Sequence, residues 1–419
     1  MEIINFFNPK TLAIVGASDN LDKVGGILFT KAMKSNCEII PINPKYDSLL
    51  GVRCYGDIQN FKGKIDLVVI AIPSQFVVSE LIKCGKKGVK SVIVVSAGFS
   101  EVGNHELEKK VLEIASKYGI RVLGPNCFGV FSSSRNLDLT FSATTPGRSK
   151  IAFVSQSGAL WSYLADAYKE IGFSKFVGLG NMSDLEFNDF IDYLGEDRDT
   201  DSIILYIEKL KKGREFIEIC KKVLKKGKKI YAVKAGSSKE GSKAAFSHTG
   251  SLATDYEVYR GAFKQAGVIL CKTPEEAFEM ASGKKTIVPS SKNKINIMKK
   301  AKIITNAGGV GVLISDYLEE KGIEVLESRD IIGTALAKDY QNTLENLIDF
   351  EGTIVIALTS QSMTEILETA EVVVNFRKQT GKHIVALFLG KSIIEKAYNL
   401  FEINNINHFE DFESFRMSI

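Results

Sequence analysis

The chain has 419 residues, 45% apolar and 25% charged, which is the composition of a globular protein with room for roughly three domains. A formal net charge of only +4 and scattered lysines give no reason to expect a nucleic-acid partner. Six dispersed cysteines without a C-x-x-C pair point to reduced thiols instead of a disulfide framework, and the apolar runs are far too short to span a membrane.

The first residues, Met1-Glu-Ile-Ile-Asn-Phe-Phe7, lack a charged region followed by an apolar core. No signal peptide is expected, and a cytoplasmic location follows. Thr11-Leu-Ala-Ile-Val15 is a short β-rich run that ends in Gly16-Ala-Ser-Asp19, and Gly25-Gly26 open the next helix. Strand, glycine turn and helix in that order build a doubly wound fold and aim backbone N–H groups at an anion. The dinucleotide fingerprint G-x-G-x-x-G needs a second glycine at position 18, where Ser18 stands, so this turn alone identifies no cofactor. Further strands are expected at 38–42, 66–72, 91–95 and 121–123. They lead into Asn43-Pro-Lys-Tyr46, Pro73-Ser74, Ser96-Ala-Gly-Phe99 and Gly124-Pro-Asn-Cys-Phe-Gly129. Apolar strands alternating with helical patterns imply a parallel sheet, whose ligands bind past the carboxyl ends of the strands. These turns are ordinary βα connections, or one rim around a nucleotide-like ligand.

Residues 130–150 lack periodicity and read as a linker, punctuated by Pro146-Gly147. A strand at 151–154 then enters Ser155-Gln-Ser-Gly-Ala-Leu160, the start of a helix where Ser157 and Gly158 are placed to hold a phosphate. Serine there is more often a plain N-cap. A strand at 201–207 ends at Glu208. A carboxylate on that rim can accept a hydrogen bond from one imidazole nitrogen and so make the other more nucleophilic. The plain alternative is a surface glutamate paired with Lys209, Lys211 or Lys212. The run at 221–229 reads as the polar end of a helix and a turn. A strand at 230–234 and a helix at 255–264 bracket a loop at 236–253, rich in Gly, Ser and Ala, that carries His248. Loops this long inside compact domains tend to be functional, and imidazole serves as base, ligand or nucleophile near neutral pH. With no Cys or second His nearby in sequence, a zinc site is not expected. On this stretch alone, an incidental histidine in a surface loop is an equal reading.

A polar, lysine-rich link covers about 284–300. A strand at 302–305, the turn Asn306-Ala-Gly-Gly309, a helix, and strands at 353–358 and 383–388 describe another small α/β layer. His105, His383 and His408 read as structural or exposed. No G-x-x-x-x-G-K-[ST] phosphate loop occurs.

Eight motifs in order carry a resemblance: Ile14-Val-Gly-Ala-Ser18, Asn43-Pro-Lys-Tyr46, Ser96-Ala-Gly-Phe-Ser-Glu101, Gly124-Pro-Asn-Cys127, Ser155-Gln-Ser-Gly158, Tyr206-Ile-Glu208, Ser247-His-Thr-Gly250 and Thr305-Asn-Ala-Gly-Gly309. Nearly the whole chain resembles the α subunits of ADP-forming acetyl-CoA synthetases (acetate–CoA ligases), NDP-forming enzymes related to succinyl-CoA synthetase. The resemblance implies an α/β protein with a Rossmann-like CoA-binding domain at 1–130. Two flavodoxin-like domains follow, one at 148–284 with the phosphohistidine loop and a shortened third at 300–419. It implies that Gly16, Ala17, Ser18 and Lys45 contact the phosphates or adenosine end of CoA. Pro73, Ala97 and Gly98 would flank the cofactor, and Asn126 and Cys127 would lie near its thiol. His248 would be phosphorylated, with Glu208 holding and activating it. Ser157, Gly158 and Ala159 would hold the phosphoryl group at a helix N-terminus.

The implied reaction is reversible. Acyl-CoA, phosphate and ADP give organic acid, CoA and ATP through an acyl phosphate and a phosphohistidine. No ATP-grasp domain is found, so ADP or ATP and Mg2+ are expected mainly on a separate ATP-grasp β subunit, in a hetero-oligomer such as α2β2. Phosphate and a small organic acid, acetate by default, complete the substrates, and no metal site is expected in this chain. The Asn-Pro-x-Asp element usual before the third domain's middle strand is missing from 338–349. Two other readings compete. A non-catalytic CoA or acyl-CoA sensor would have no use for His248, Glu208 and Ser157-Gly158 together. A nicotinamide-dependent dehydrogenase is disfavoured by the missing glycine fingerprint.

Overall fold

The computed structural model describes residues 3–243, 256–285 and 294–419. The first unit contains β1 (Thr11–Val15), α1 (Val24–Ala32), β2 (Glu38–Ile42), the small hairpin β3 (Ser48–Leu49) and β4 (Val52–Arg53), β5 (Leu67–Ile70), α2 (Val77–Lys86), β6 (Ser91–Val94), α3 (His105–Tyr118) and β7 (Arg121–Leu123). Its parallel sheet runs β2-β1-β5-β6-β7. β5 and β6 bury every residue, as strands covered by helices on both faces must.

The second unit contains β8 (Gly129–Ser132), β9 (Leu137–Thr140), β10 (Arg148–Ser155), α4 (Gly158–Ala167), β11 (Phe173–Gly178), α5 (Phe187–Glu196), β12 (Ser202–Ile207), α6 (Gly213–Lys225), β13 (Lys229–Lys234), α7 (Tyr256–Ala266), β14 (Ile269–Cys271) and α8 (Pro274–Ser282). Its sheet runs β14-β13-β12-β10-β11-β8-β9. The stretch expected to be a linker is therefore largely sheet: β8 and β9 form a hairpin that extends β11 antiparallel. Its pattern is hard to read because both strands are buried throughout and one buried residue is charged. Asp138 is neutralised from the first unit by Lys31, 2.8 Å away.

The third unit contains β15 (Lys300–Thr305), α9 (Gly308–Glu320), β16 (Glu324–Asp330), α10 (Ala337–Glu345), β17 (Thr353–Thr359), α11 (Ile366–Thr380), β18 (His383–Leu389), α12 (Glu395–Ile403), β19 (Asn407–Phe409) and α13 (Phe412–Ser418), with sheet order β16-β15-β17-β18-β19. Among the parallel strands of each of the three sheets, the second lies outside the first and the chain then reverses direction across the sheet. The crevice at that reversal is where such folds bind ligands.

Apolar cores run across both junctions. Phe7 stacks on Tyr193 at 5.1 Å, and Phe6 and Phe7 each meet Phe190 edge-on at 6.2 Å. Arg121 adds ion pairs to Asp184 (3.1 Å) and Asp189 (3.0 Å). Between the second and third units, one cluster joins Leu160, Trp161 and Leu164 of α4 to Val310, Leu313 and Ile314 of α9. Among the described residues no helix is long and apolar enough to cross a membrane.

The same junction buries Glu275 of α8, which accepts hydrogen bonds from the Tyr163 hydroxyl and from Phe412 N (3.0 Å). Burial, then the charge of Asp411, pushes its pKa up to about 8. A carboxyl whose folded pKa is raised favours folding while protonated. Its contribution is full below the unfolded value of 4.5 and is lost as the pH rises through about 8. Glu275→Gln is therefore expected to melt above the native chain at about pH 8.5 and to converge with it near about pH 5. Melting curves that fall in parallel for both chains would exclude Glu275 as the titrating group.

Candidate active site

The second and third units repeat one turn. After β10, Ser155 Oγ donates to Ser157 O (2.7 Å) and accepts from Ser157 N (3.1 Å). After β15, Thr305 Oγ1 donates to Ala307 O (3.3 Å) and accepts from Ala307 N (3.1 Å). Each turn opens a helix with glycine, α4 at Gly158 and α9 at Gly308. The next polar residue ties each turn to the strand across the crevice. Gln156 Oε1 accepts from Glu208 N and Lys209 N, both at 2.8 Å, and Asn306 Oδ1 accepts from Thr359 N at 2.9 Å.

The two helix starts meet. A Cβ on Gly309 would stand 2.8 Å from Ser157 Cβ and Oγ and 2.9 Å from the Tyr206 hydroxyl, which donates to Gly309 O at 3.0 Å. Ser157 occupies the N-cap position, but its side chain accepts no hydrogen bond from the first turn of α4 and lies instead beside Gly309. The plain-cap reading is thus corrected: the Ser157 hydroxyl lies against the opposite helix. Two helix N-termini with their partial positive charge converge on one spot. Glu208 is buried there at 6% exposure, so it is no surface glutamate. Burial, then the Glu208 charge, lifts the Tyr206 phenol well above its ordinary range. A bulkier residue at Gly309 would part the helices. Gly309→Val is expected to cost about 1–3 kcal/mol in denaturant unfolding, and an unchanged midpoint would show that the junction yields.

His248 lies outside the described residues, as do its neighbours from 244 to 255. The described root of its segment is more regular than the expected loop, since residues 239–243 are helical. Lys234 ends β13 beside this root. It sits 4.6 Å over the Tyr259 ring, donates to Ala235 O, and is pushed by burial down to about 8.

In the first unit, the turn after β1 is built from backbone. Gly16 has φ +90°, and a Cβ on Gly25 would meet Gly16 O at 2.0 Å. Ala17 and Ser18 are buried, with Ser18 Oγ accepting from Asn20 N at 3.0 Å, while Lys45 and Pro73 are exposed on the same rim. Gly98 (φ +109°) abuts Ser74, bringing the Pro73 and Ala97-Gly98 turns together. Asn126 (φ +53°) donates to Asn181 Oδ1 at 3.3 Å. The Cys127 thiol is buried, donates to Val94 O at 3.3 Å and is pushed by burial up to about 12, so it points into the core. The next residue, Phe128, packs directly on Gly158. The turn expected near the CoA thiol therefore abuts the helix start expected to hold phosphate.

Several residues escaped sequence reasoning. Gln156 and Asn306 position the two turns, and Gly308-Gly309 supply the second helix start. Asn181 links Glu101 (2.7 Å) and Glu108 (2.8 Å) of the first unit to the second. The signal for the first group was present, since Ser-Gln-Ser-Gly and Thr-Asn-Ala-Gly are one pattern written twice. No group of three or more His, Cys, Asp or Glu is arranged to hold a metal among the described residues.

Residues 10–133 match the CoA binding domain family, and residues 148–283 match the succinyl-CoA ligase like flavodoxin domain family. Subunit alpha of acetate–CoA ligase (ADP-forming) II from Pyrococcus furiosus is 40% identical over 440 residues, covering 97% of this chain and 94% of that one. Acetate–CoA ligase (ADP-forming) from Methanocaldococcus jannaschii is 44% identical over 310 residues, covering 74% of this chain and 43% of that longer one. Among solved structures, dinucleotide-forming acetyl-coenzyme A synthetase 1 from Ca. Korarchaeum cryptofilum, in complex with phosphate and ADP, matches with a TM-score of 0.65 at 31% identity. The match covers 100% of this chain and 95% of that one.

Proposed function

The chain belongs to the ADP-forming acetate–CoA ligase family as an α subunit, and from that premise we propose that it carries the phosphoryl relay of a reversible acyl-CoA synthetase. The observation that carries this reading is a buried Glu208 beside two converging helix N-termini, at the end of the strand neighbouring the one that leads toward His248. That arrangement suits a phosphoryl group passing between an imidazole and an acyl phosphate.

The first unit holds CoA. The backbone turn at Gly16–Ser18 fits a pyrophosphate, since it lacks protruding side chains, and Lys45 adds a charge on the rim. Asn126 lies toward the thioester. A phosphate oxygen attacks the thioester carbonyl; the C–S bond breaks, the sulfur leaves as thiolate and takes a proton, and an acyl phosphate remains. Ser157, Gly158 and Ala159, with Gly308 and Gly309 opposite, hold its phosphoryl oxygens on backbone N–H groups and helix dipoles. One nitrogen of His248 attacks phosphorus and the carboxylate departs. Glu208 accepts the hydrogen bond from the other nitrogen and balances the positive charge the ring acquires. ADP then takes the phosphoryl group from the imidazole, giving ATP. The nucleotide and Mg2+, whose charge would offset that of the phosphates, are held by an ATP-grasp partner subunit. The acid is acetate by default.

The test is labelling of the chain, co-expressed with its partner, by radiolabelled ATP and Mg2+. The expected product is an acid-labile, base-stable phosphoprotein that is lost in His248→Asn and discharged by CoA plus acid. No label in a competent complex would favour a CoA sensor of the same fold. The purified chain alone is expected to bind CoA in a titration yet form no ATP from acetyl-CoA, phosphate and ADP. Turnover without the partner would sink that division of labour.

A further inference from the structure

Asp316 of α9 reaches out of the third unit and is buried in the second. Its Oδ2 accepts from Gly236 N (2.8 Å) and Ser237 N (3.0 Å), and its Oδ1 from Ser238 N (2.8 Å) and Ser238 Oγ (2.7 Å). Three successive N–H groups and a hydroxyl on one carboxylate are a charge-assisted clamp that uses both oxygens. The surroundings are built to it. Ser238 Oγ accepts in turn from Gly241 N (3.0 Å), and Glu319 Oε2 accepts from Glu240 N (3.0 Å). A Cβ on Gly241 would stand 1.9 Å from Asp316 Oδ1, so that position has room for glycine alone. Residues 236–241, where the chain leaves β13 toward His248, are thus bound to α9 of the neighbouring unit. The N-terminus of the same helix, Gly308-Gly309, forms one wall of the cradle.

Asp166 supplies an internal comparison. It holds the matching place on α4 and makes the reciprocal contact, accepting from Lys391 N (2.6 Å), Ser392 Oγ (2.9 Å) and Ile393 N (3.5 Å) in the turn after β18. That turn carries no histidine and leads straight into α12.

We propose that Asp316 is a positioning residue for the phosphoryl relay, fixing the root of the His248 segment to the helix whose N-terminus, opposite Ser157 and Gly158, forms one wall of the phosphoryl site. Root and cradle then keep one spatial relation whatever the rest of the segment does. Asp166 makes the same kind of contact for stability alone. This assignment rests on His248 being the phosphorylated residue.

The experiment compares Asp316→Asn with Asp166→Asn in the complete complex with the ATP-grasp partner. In Asp316→Asn the N–H2 group faces a backbone donor whichever way the amide turns, whereas in Asp166→Asn it can face the Ser392 and Thr144 hydroxyls and leave the oxygen to the backbone donors. Labelling by radiolabelled ATP is followed by rapid quench, alongside melting temperature and the KM values for CoA and ADP. Asp316→Asn is expected to lose the more thermal stability, so labelling of both variants is followed well below their melting temperatures. Asp316→Asn is expected to label about ten-fold or more slowly, with a matching fall in kcat and unchanged KM values, because misplacing a reacting group by a fraction of an ångström is costly. Asp166→Asn is expected to label within about two-fold of the native rate, since it touches neither cradle nor root. Should Asp316→Asn fail to fold, Ser238→Ala removes only the hydroxyl contacts, and is expected to slow labelling with the melting temperature preserved. Native-rate labelling in Asp316→Asn, or equal slowing in both aspartate variants, would overturn the positioning role while leaving the relay intact. Absence of label in the native complex would overturn the relay itself, and this assignment with it.

Discussion

Glu208→Gln is expected to slow phosphorylation of the chain by about 10²- to 10⁴-fold, the range spanned by loss of a positioned acid or base, while CoA affinity and melting temperature stay close to native. The carboxamide has the shape of the carboxylate, and the backbone at this residue is anchored without the charge. Gln156 Oε1 holds the backbone N–H groups of Glu208 and Lys209 at 2.8 Å, so residue 208 stays at the end of β12 in the variant. What disappears is a buried negative charge beside the ring that must become cationic as its nitrogen attacks phosphorus. In a site shielded from water that charge counts for more than it would on the surface. The carboxamide also presents N–H donors, which hold an imidazole in the wrong tautomer. Gln156→Ala should give a milder version of the defect, since it frees the strand end without removing the charge. Labelling of Glu208→Gln at the native rate would make Glu208 structural and leave His248 to be oriented by another group.

The architecture was legible because parallel sheets advertise themselves. Most central strands carry an apolar run buried on both faces, as β5 and β17 do, and the turns after them are rich in small and polar residues. Edge strands do not announce themselves this way. β16 reads Glu-Val-Leu-Glu-Ser-Arg-Asp and is mostly exposed, so no hydrophobic pattern marks it. β8 and β9 were hidden by the buried Asp138, whose charge makes sense only once Lys31 arrives from another unit.

The site divides along the same line. Local chemistry was readable, including the glycine that opens α4 and the carboxylate ending β12. Pairing across units was not. The Thr305–Gly309 motif could be seen in the sequence, but its use depends on α9 packing head-on against α4. Serine at a helix start is usually a cap, yet the Ser157 hydroxyl is turned toward Gly309 of the other unit, which no local pattern reveals. Cys127 sits in the right motif, yet the βα turn directs its thiol inward to Val94 O.

Gly25→Ala is expected to weaken CoA binding by about ten-fold or more and to cost about 1–3 kcal/mol of stability, the range for overpacking a site that cannot give way. A single methyl there would stand 2.0 Å from Gly16 O, and one on Gly26 would stand 2.0 Å from Asn20 O. Both neighbours are backbone, so no side chain can swing aside. Gly16 itself is held at φ +90°, with Ala71 O 2.4 Å from where its Cβ would be. The turn between β1 and α1 is therefore packed backbone on backbone. This does by other means what the second glycine of the dinucleotide fingerprint would do at position 18. Ser18 takes that place with its hydroxyl turned onto Asn20 N (3.0 Å), and Asn43 braces the turn from β2's end by donating to Ala17 O at 2.8 Å. A methyl on Gly25 must push the start of α1 away from β1, and with it the N–H groups offered to a pyrophosphate. Gly213→Ala is the control, since nothing lies within 4 Å of its Cβ position; calorimetric titration with CoA should not distinguish it from the native chain. If Gly25→Ala binds CoA as the native chain does, this turn does not contact the cofactor's phosphates. Their binding would then fall to the exposed part of the rim, beginning with Lys45.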